Sequence, residues 1–179
     1  MAADAHFLVR LCLSTDSAPF RCSATDEGEV NMAVVVLFGS ETGTAEEVAD
    51  KIADILVDHD AEVRDMLEYE VSEIDTDAFH VIICSTYGDG ELPTGAEPFY
   101  DALVEDAPDL SGLKFALFGL GDRIYEDTFN RGGEIIAEKL VELGAVQVHE
   151  HARHDSSSNI KPKALAEEWA RELTGLLPG

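Results

Sequence analysis

The residues best suited to chemistry are Ser40, Glu41, Thr42, Gly43, Thr44 and Ala45, which follow Phe38-Gly39. Ser40, Thr42 and Thr44 supply neutral hydroxyl donors. The apolar run Ala33-Val34-Val35-Val36-Leu37 precedes them and a helix-patterned segment follows. The order reads as a buried strand, a small loop and a helix N-terminus. Such a terminus carries unpaired N–H groups and about half a positive charge, which suits a phosphate. Gly39 and Gly43 let the backbone approach a ligand closely. The loop has no lysine, so the GxxxxGK triphosphate pattern is absent. It reads as a seat for a terminal monophosphate held by neutral donors. Alone, the same residues also describe a tight turn with a helix cap.

Two further loops point the same way. One is Ser85-Thr86-Tyr87-Gly88-Asp89-Gly90-Glu91-Leu92-Pro93, and the other runs from Gly119-Leu120-Gly121-Asp122 through Tyr125 to Phe129-Asn130. Each sets a tyrosine beside glycines. An exposed tyrosine can lie flat on a planar ring. Two of them on neighbouring loops can sandwich one ring, while backbone groups at Gly88, Gly90 and Gly121 read its polar edge. Loop packing is the alternative for either tyrosine taken singly.

These loops need a frame. The pattern predicts strands over Ala33–Phe38, Glu62–Met66, Phe79–Cys84, Lys114–Gly119 and Ala145–Val148. It predicts helices over Ala45–His59, Pro98–Val104, Gly133–Leu143 and Ala164–Leu177. The first helix turns Val48, Ile52, Ile55 and Leu56 to one face, and the last buries Leu165, Trp169 and Leu176. Val81-Ile82-Ile83 is apolar throughout, as an interior parallel strand should be. Strands alternating with helices make an α/β doubly wound sheet of five parallel strands, with helices on both faces. Ligands of such sheets sit beyond the carboxyl ends of the strands, where all three loops fall.

The chain has 179 residues, enough for one domain with a sizeable core, and its net charge is −25. That charge argues against nucleic acid and anionic membranes as partners. It fits a basic protein partner, a saline cytoplasm or a solubilising surface. Cys12, Cys22 and Cys84 are odd in number and contain no C-x-x-C pair, which argues against a disulfide framework or structural zinc and for a reducing cytoplasm. Cys84 reads as a buried small hydrophobe. No apolar run approaches the ~20 residues of a membrane span. His149, His151 and His154 have a spacing open to metal, but the polar segment Glu150–Asn159 reads as a solvated loop. Residues 1–31 read as a flexible N-terminal extension without a core role, or as residues preceding a natural start at Met32.

The three loops together resemble the FMN loops of the flavodoxin family, over about residues 33 to 177. The second loop is similar to those of diflavin reductase FMN domains and of MioC-type flavodoxins. The resemblance implies strand order 2-1-3-4-5 and an FMN-binding domain over residues 32–179. It implies phosphate binding by Ser40 to Ala45, and flavin and ribityl contacts from Ser85, Thr86 and Gly88. Tyr87 and Tyr125 would stack on opposite faces of the flavin, and Gly119, Leu120, Gly121 and Asp122 would meet its pyrimidine edge. Phe129 and Asn130 would close the third loop. Phe129 stands four residues after Tyr125, where relatives place their phenylalanine three after, so the loop end differs in shape. In the family the peptide at the Gly88 position turns over to present its carbonyl to the flavin.

The implied function is a cytoplasmic one-electron carrier of low potential. It would exchange electrons with a flavodoxin reductase-type donor and a redox acceptor enzyme through its acidic surface. A fused nicotinamide-binding domain is not recognisable. The runner-up is an FMN-dependent quinone or nitro reductase, for which no long pocket-building insertion is visible. A receiver-like phosphoacceptor domain is discounted, because Gly39-Ser40 and Cys84-Ser85 stand where acidic residues are needed.

Overall fold

The computed structural model describes residues 32–177. The expectations for the N-terminal extension, Cys12 and Cys22 lie outside these residues. Strands are β1 (Val34–Gly39), β2 (Glu62–Asp65), β3 (Phe79–Ser85), β4 (Lys114–Gly121), β5 (Val146–Gln147) and β6 (Ala152–Asp155). Helices are α1 (Thr44–Ile55), α2 (Glu97–Asp106), α3 (Arg131–Glu142) and α4 (Pro162–Thr174). The sheet order is β2-β1-β3-β4-β5, the doubly wound order expected, and all its ladders are parallel.

The sheet has six strands rather than five. β5 pairs with the start of β4, through Lys114–Val146 and Phe115–Gln147. β6 then pairs with the end of the same strand, Phe118 with Ala152 through Gly121 with Asp155. One edge position is thus filled by two short strands, separated by residues 148–151. The segment read as a solvated loop is therefore partly a strand, and His154 is buried within it. Ala152, Arg153, His154 and Asp155 carry no apolar alternation, because His154 is accommodated by a 2.8 Å hydrogen bond between its Nε2 and the Ile160 carbonyl. That bond reaches six residues ahead and leaves no periodic trace in the sequence.

Strand alternation divides the core into two layers. Phe79, Val81 and Ile83 of β3 and Ala116, Phe118 and Leu120 of β4 face α1 and α4. Ile82 and Cys84, with Phe115 and Leu117, face α2 and α3. Helix α1 buries Val48 and Ile52, with Leu56 just past its end. Helix α4 seats Trp169 edge-on against Phe118, with ring centroids 5.5 Å apart. Leu173, Ala166 and Ala170 complete that face, whereas Leu176 is half exposed. The helix ends at Thr174, so Leu176 is no longer held on the helical repeat that would have turned it inward. Cys84 is a free, fully buried thiol, and burial pushes its pKa up to about 12.

His80 lies inside β3, and among the described residues its Nε2 has no partner. Burial lowers its pKa from 6.5 to about 4, against a weaker opposing hydrogen bond to the Ala78 carbonyl. Between those values the unfolded chain takes up a proton that the folded chain refuses. This residue's contribution to stability is therefore full above pH 6.5 and lost progressively as pH falls toward 4. Denaturant unfolding of the wild type and of His80→Phe should give stability curves that diverge over this window. The wild type should lose about 3 kcal/mol more than the variant between pH 7 and pH 4, from a shift of 6.5 to about 4. Parallel curves would show that His80 is hydrated or protonated in the fold.

Candidate functional site

The loops after β1, β3 and β4 meet at the carboxyl end of the sheet, as the resemblance implied. They line a cavity of about 650 Å³ together with the segment that follows β6. Thr42, Thr44, Ser85, Thr86, Tyr87, Gly88, Leu120, Gly121, Asp122 and Tyr125 are in its wall.

The first loop is shaped by Ser40 and Glu41. The Ser40 hydroxyl accepts from the Gly43 N–H at 2.9 Å and the Ala45 N–H at 3.4 Å, so it closes the turn at the start of α1. Gly43 takes φ +88°, a left-handed conformation that most side chains avoid. The Glu41 carboxylate accepts from the backbone N–H of Thr94 at 2.9 Å and its hydroxyl at 2.8 Å. These bonds lower its pKa and fasten the first loop to the second. Ser40, Glu41, Gly43 and the fully buried Ala45 therefore support the loop from behind, and Thr42 and Thr44 face the cavity.

The second loop is a tight hairpin. Tyr87 and Glu91 exchange backbone hydrogen bonds of 3.0 and 2.8 Å, with Gly88 at φ +52° inside the turn. The Thr86 N–H donates to the Leu120 carbonyl at 2.8 Å, and its hydroxyl accepts from the Gly132 N–H at 3.1 Å. A Cβ on Gly132 would run into the Ser85 carbonyl, so only glycine lets α3 start this close to the loop. Tyr87 and Tyr125 are 51% and 52% exposed, which leaves both rings open to stack on a ligand.

The third loop is held by Asp122. One carboxylate oxygen caps the following turn by accepting from the Ile124 N–H at 2.9 Å, and the other accepts from the Ser156 hydroxyl at 3.0 Å. Gly119 and Phe129 lie elsewhere. A Cβ on Gly119 would meet Asn130 and His151 beneath the loop. Phe129 is half-buried under the Arg123 guanidinium, 5.2 Å from its ring centroid. Asn130 is fully buried at the start of α3, with its Nδ2 donating to the His154 carbonyl at 3.4 Å. These three residues brace the loop from outside the cavity.

Sequence reasoning missed a fourth wall, from Ser156 to Pro162, along with Thr128 and His154. Asp155 fixes this wall by accepting from the Arg123 N–H at 3.1 Å and the Ser157 hydroxyl at 2.7 Å, and these bonds lower its pKa. The Ser156 N–H donates to the Gly121 carbonyl at 2.8 Å. The signal was the run Asp155-Ser156-Ser157-Ser158-Asn159 ahead of Pro162, a turn-forming string before a helix start.

The three histidines do not converge on one point, and among the described residues the buried Nε2 of His151 has no partner. His149 Nδ1 lies 3.1 Å from the Trp169 indole N–H, and His154 binds Ile160. The half-buried His151 has its pKa lowered to about 4, first by burial and then by Arg153. Among the described residues no group of His, Cys, Asp or Glu is arranged to hold a metal ion.

The cavity suits a phosphorylated flavin. It falls within the range of roughly 300–1,000 Å³ typical of ligand sites. Its lining includes hydroxyls, backbone groups, two open tyrosine rings, Lys161 and a single carboxylate, Asp122, both of whose oxygens accept hydrogen bonds. A second cavity of about 690 Å³, between α2 and α3, is walled by five carboxylates, Glu91, Glu97, Asp101, Glu138 and Glu142, and its cations Arg131 and Lys139 are paired with Glu138 and Glu142, which disfavours an anionic phosphate.

Comparison with known proteins agrees with this geometry. The flavodoxin family model matches residues 36–169. An uncharacterized protein of Pseudomonas aeruginosa is 37% identical over 151 residues, covering 83% of this chain and 100% of the relative. NADPH–cytochrome P450 reductase of Oryctolagus cuniculus is 36% identical over 79% of this chain, which spans 23% of that reductase's length. Among solved structures, a mutant flavodoxin from Pseudomonas aeruginosa superposes with a TM-score of 0.74 at 36% identity, covering 83% of this chain and 100% of that one. Oxidised flavodoxin 2 from Bacillus cereus gives 0.70 at 30% identity, with 80% and 99% covered. The chain belongs to the flavodoxin family: it is an electron-transfer flavoprotein, and its cofactor is FMN.

Proposed function

We propose that this chain, through residues 32–179, carries single electrons in the cytoplasm between a reductase-type donor and a separate acceptor enzyme. One observation carries the reading: Tyr87 and Tyr125 stand half exposed on adjoining loops, at the mouth of a cavity open to solvent. A flavin held between them would keep an edge within reach of a partner.

FMN supplies the redox chemistry, since its ring takes up and releases electrons. The protein's part is to bind and to bias. Thr42 and Thr44 offer hydroxyls to the phosphate beside the N-terminus of α1. Ser40 and Glu41 keep that loop in shape. Tyr87 and Tyr125 would hold the ring between them. Leu120, Gly121 and Asp122 would meet its polar edge, with Asp122 held still by Ser156. Ser85 and Thr86 hold the second loop against β1, β4 and α3 through the Gly39 and Leu120 carbonyls and the Gly132 N–H. Exposed Asp89, Glu91, Glu126 and Asp127 on the two tyrosine loops favour a basic partner surface and a salt-sensitive encounter. With a net charge of −25, added negative charge at the ring is disfavoured, which supports a low potential.

The test is to bind FMN to the purified chain and titrate it reductively while recording visible spectra. Two resolved one-electron steps are expected. A single two-electron step would support an FMN-dependent quinone or nitro reductase, and failure to bind FMN would remove the reading. Gly88→Ala should bring the two steps closer together. At φ +52° an added Cβ is strained by about 1–2 kcal/mol and would press on the Glu91 carboxylate, which hinders rotation of the peptide. Unchanged separation in the variant would show that this peptide does not respond to the redox state. Tyr125→Ser should weaken FMN binding about tenfold or more through lost stacking, as read by recovery of flavin fluorescence.

A further inference from the structure

We infer that Lys161 is a specificity-determining residue of this site: its ammonium is the counter-charge for the phosphate of the bound flavin, and so selects the phosphorylated form over riboflavin. This rests on the reading that the cavity takes FMN. Lys161 lines the same cavity as Thr42 and Thr44, and among the described residues no other lysine or arginine does. It sits at the N-cap of α4, and its carbonyl accepts from the Ala164 N–H at 3.0 Å and the Leu165 N–H at 3.2 Å. Helix formation therefore holds its backbone in place. Two residues on, Lys163 pairs with Glu47 in the first turn of α1 at 3.0 Å. The N-terminal ends of α1 and α4 are thus side by side, and Lys161 belongs to the end of the cavity where the phosphate loop lies.

Charge pairing singles the residue out. Of the cations on α1 and α4, Lys51 pairs with Glu167, Lys163 with Glu47 and Arg171 with Glu167. Lys161 is in no ion pair among the described residues, although acidic residues outnumber basic ones 37 to 12 in the chain. A phosphate monoester carries close to two negative charges at neutral pH. Bringing it into a chain of charge −25 is opposed at long range. Neutral hydroxyls and N–H groups orient the phosphate but do not change that balance. A single unpaired ammonium sharing its cavity does.

Dissociation constants for FMN and for riboflavin, read from flavin fluorescence in the full chain, test this directly. In Lys161→Gln, FMN should bind about five- to tenfold more weakly at low ionic strength, the size expected of one solvent-exposed charge pair with a doubly charged group. The loss should shrink in molar salt, riboflavin should bind as in the wild type, and Lys161→Arg should restore FMN affinity. Lys163→Gln, whose ammonium is already engaged, should leave the preference for FMN intact. Equal weakening of both flavins would mean that Lys161 only shapes the loop, and unchanged FMN affinity would mean that it is remote from the phosphate. Either result overturns the inference while leaving the FMN reading standing. A wild-type chain that binds neither flavin would overturn both.

Discussion

The pairing of β3 with β4 is the constraint on which the rest depends. Seven consecutive pairs run from Phe79–Lys114 to Ser85–Leu120, in strands buried on both faces. A slip of one residue would turn Phe118 and Ile83 away from α1 and α4 and toward the opposite layer, so the register is held by burial on both sides at once. Because the two strands end level, the second and third loops leave the sheet together. The Thr86–Leu120 backbone bond continues the ladder into the loops. The two tyrosines can therefore serve one ligand as a consequence of register, with no direct bond between them.

Close approach completes the site. Gly132 lets the start of α3 meet the backbone of the second loop, and Asn130 fills the space that Gly119 leaves under the third. The buried Asn130 then reaches the His154 carbonyl in β6. Asp122 and Asp155 bridge the same two segments from the solvent side, through Ser156 and Arg123. The fourth wall is thus fastened on two levels. These bonds also hold the carboxylates of Asp122 and Asp155 in fixed positions at the cavity's edge.

Much of this was legible in the residues. Alternating apolar strands and helical stripes specify a doubly wound sheet, and the first three loops fall at strand ends because Gly, Ser, Thr and Tyr follow each apolar run. The edge of the sheet was not legible. Ala152–Asp155 is polar, and its pairing is with β4, more than thirty positions earlier. Local periodicity carries no information about a partner at that distance. His154 looked solvated because a histidine amid serines and aspartates usually is, and only the Ile160 carbonyl makes its burial tolerable.

The sequence by itself determined the helices and every strand except the polar β6, and which short loops carry hydroxyls, glycines and aromatic rings. Those properties are local, written in period and residue type. The tertiary structure alone decided which of these residues face the cavity. Thr42 and Thr44 point into the cavity while Ser40 and Glu41 brace it. Phe129 turns to Arg123, and a segment after the last strand arrives as a fourth wall with Lys161 at its end. Facing and proximity depend on strand register and on long-range hydrogen bonds, and neither is encoded within one stretch of chain.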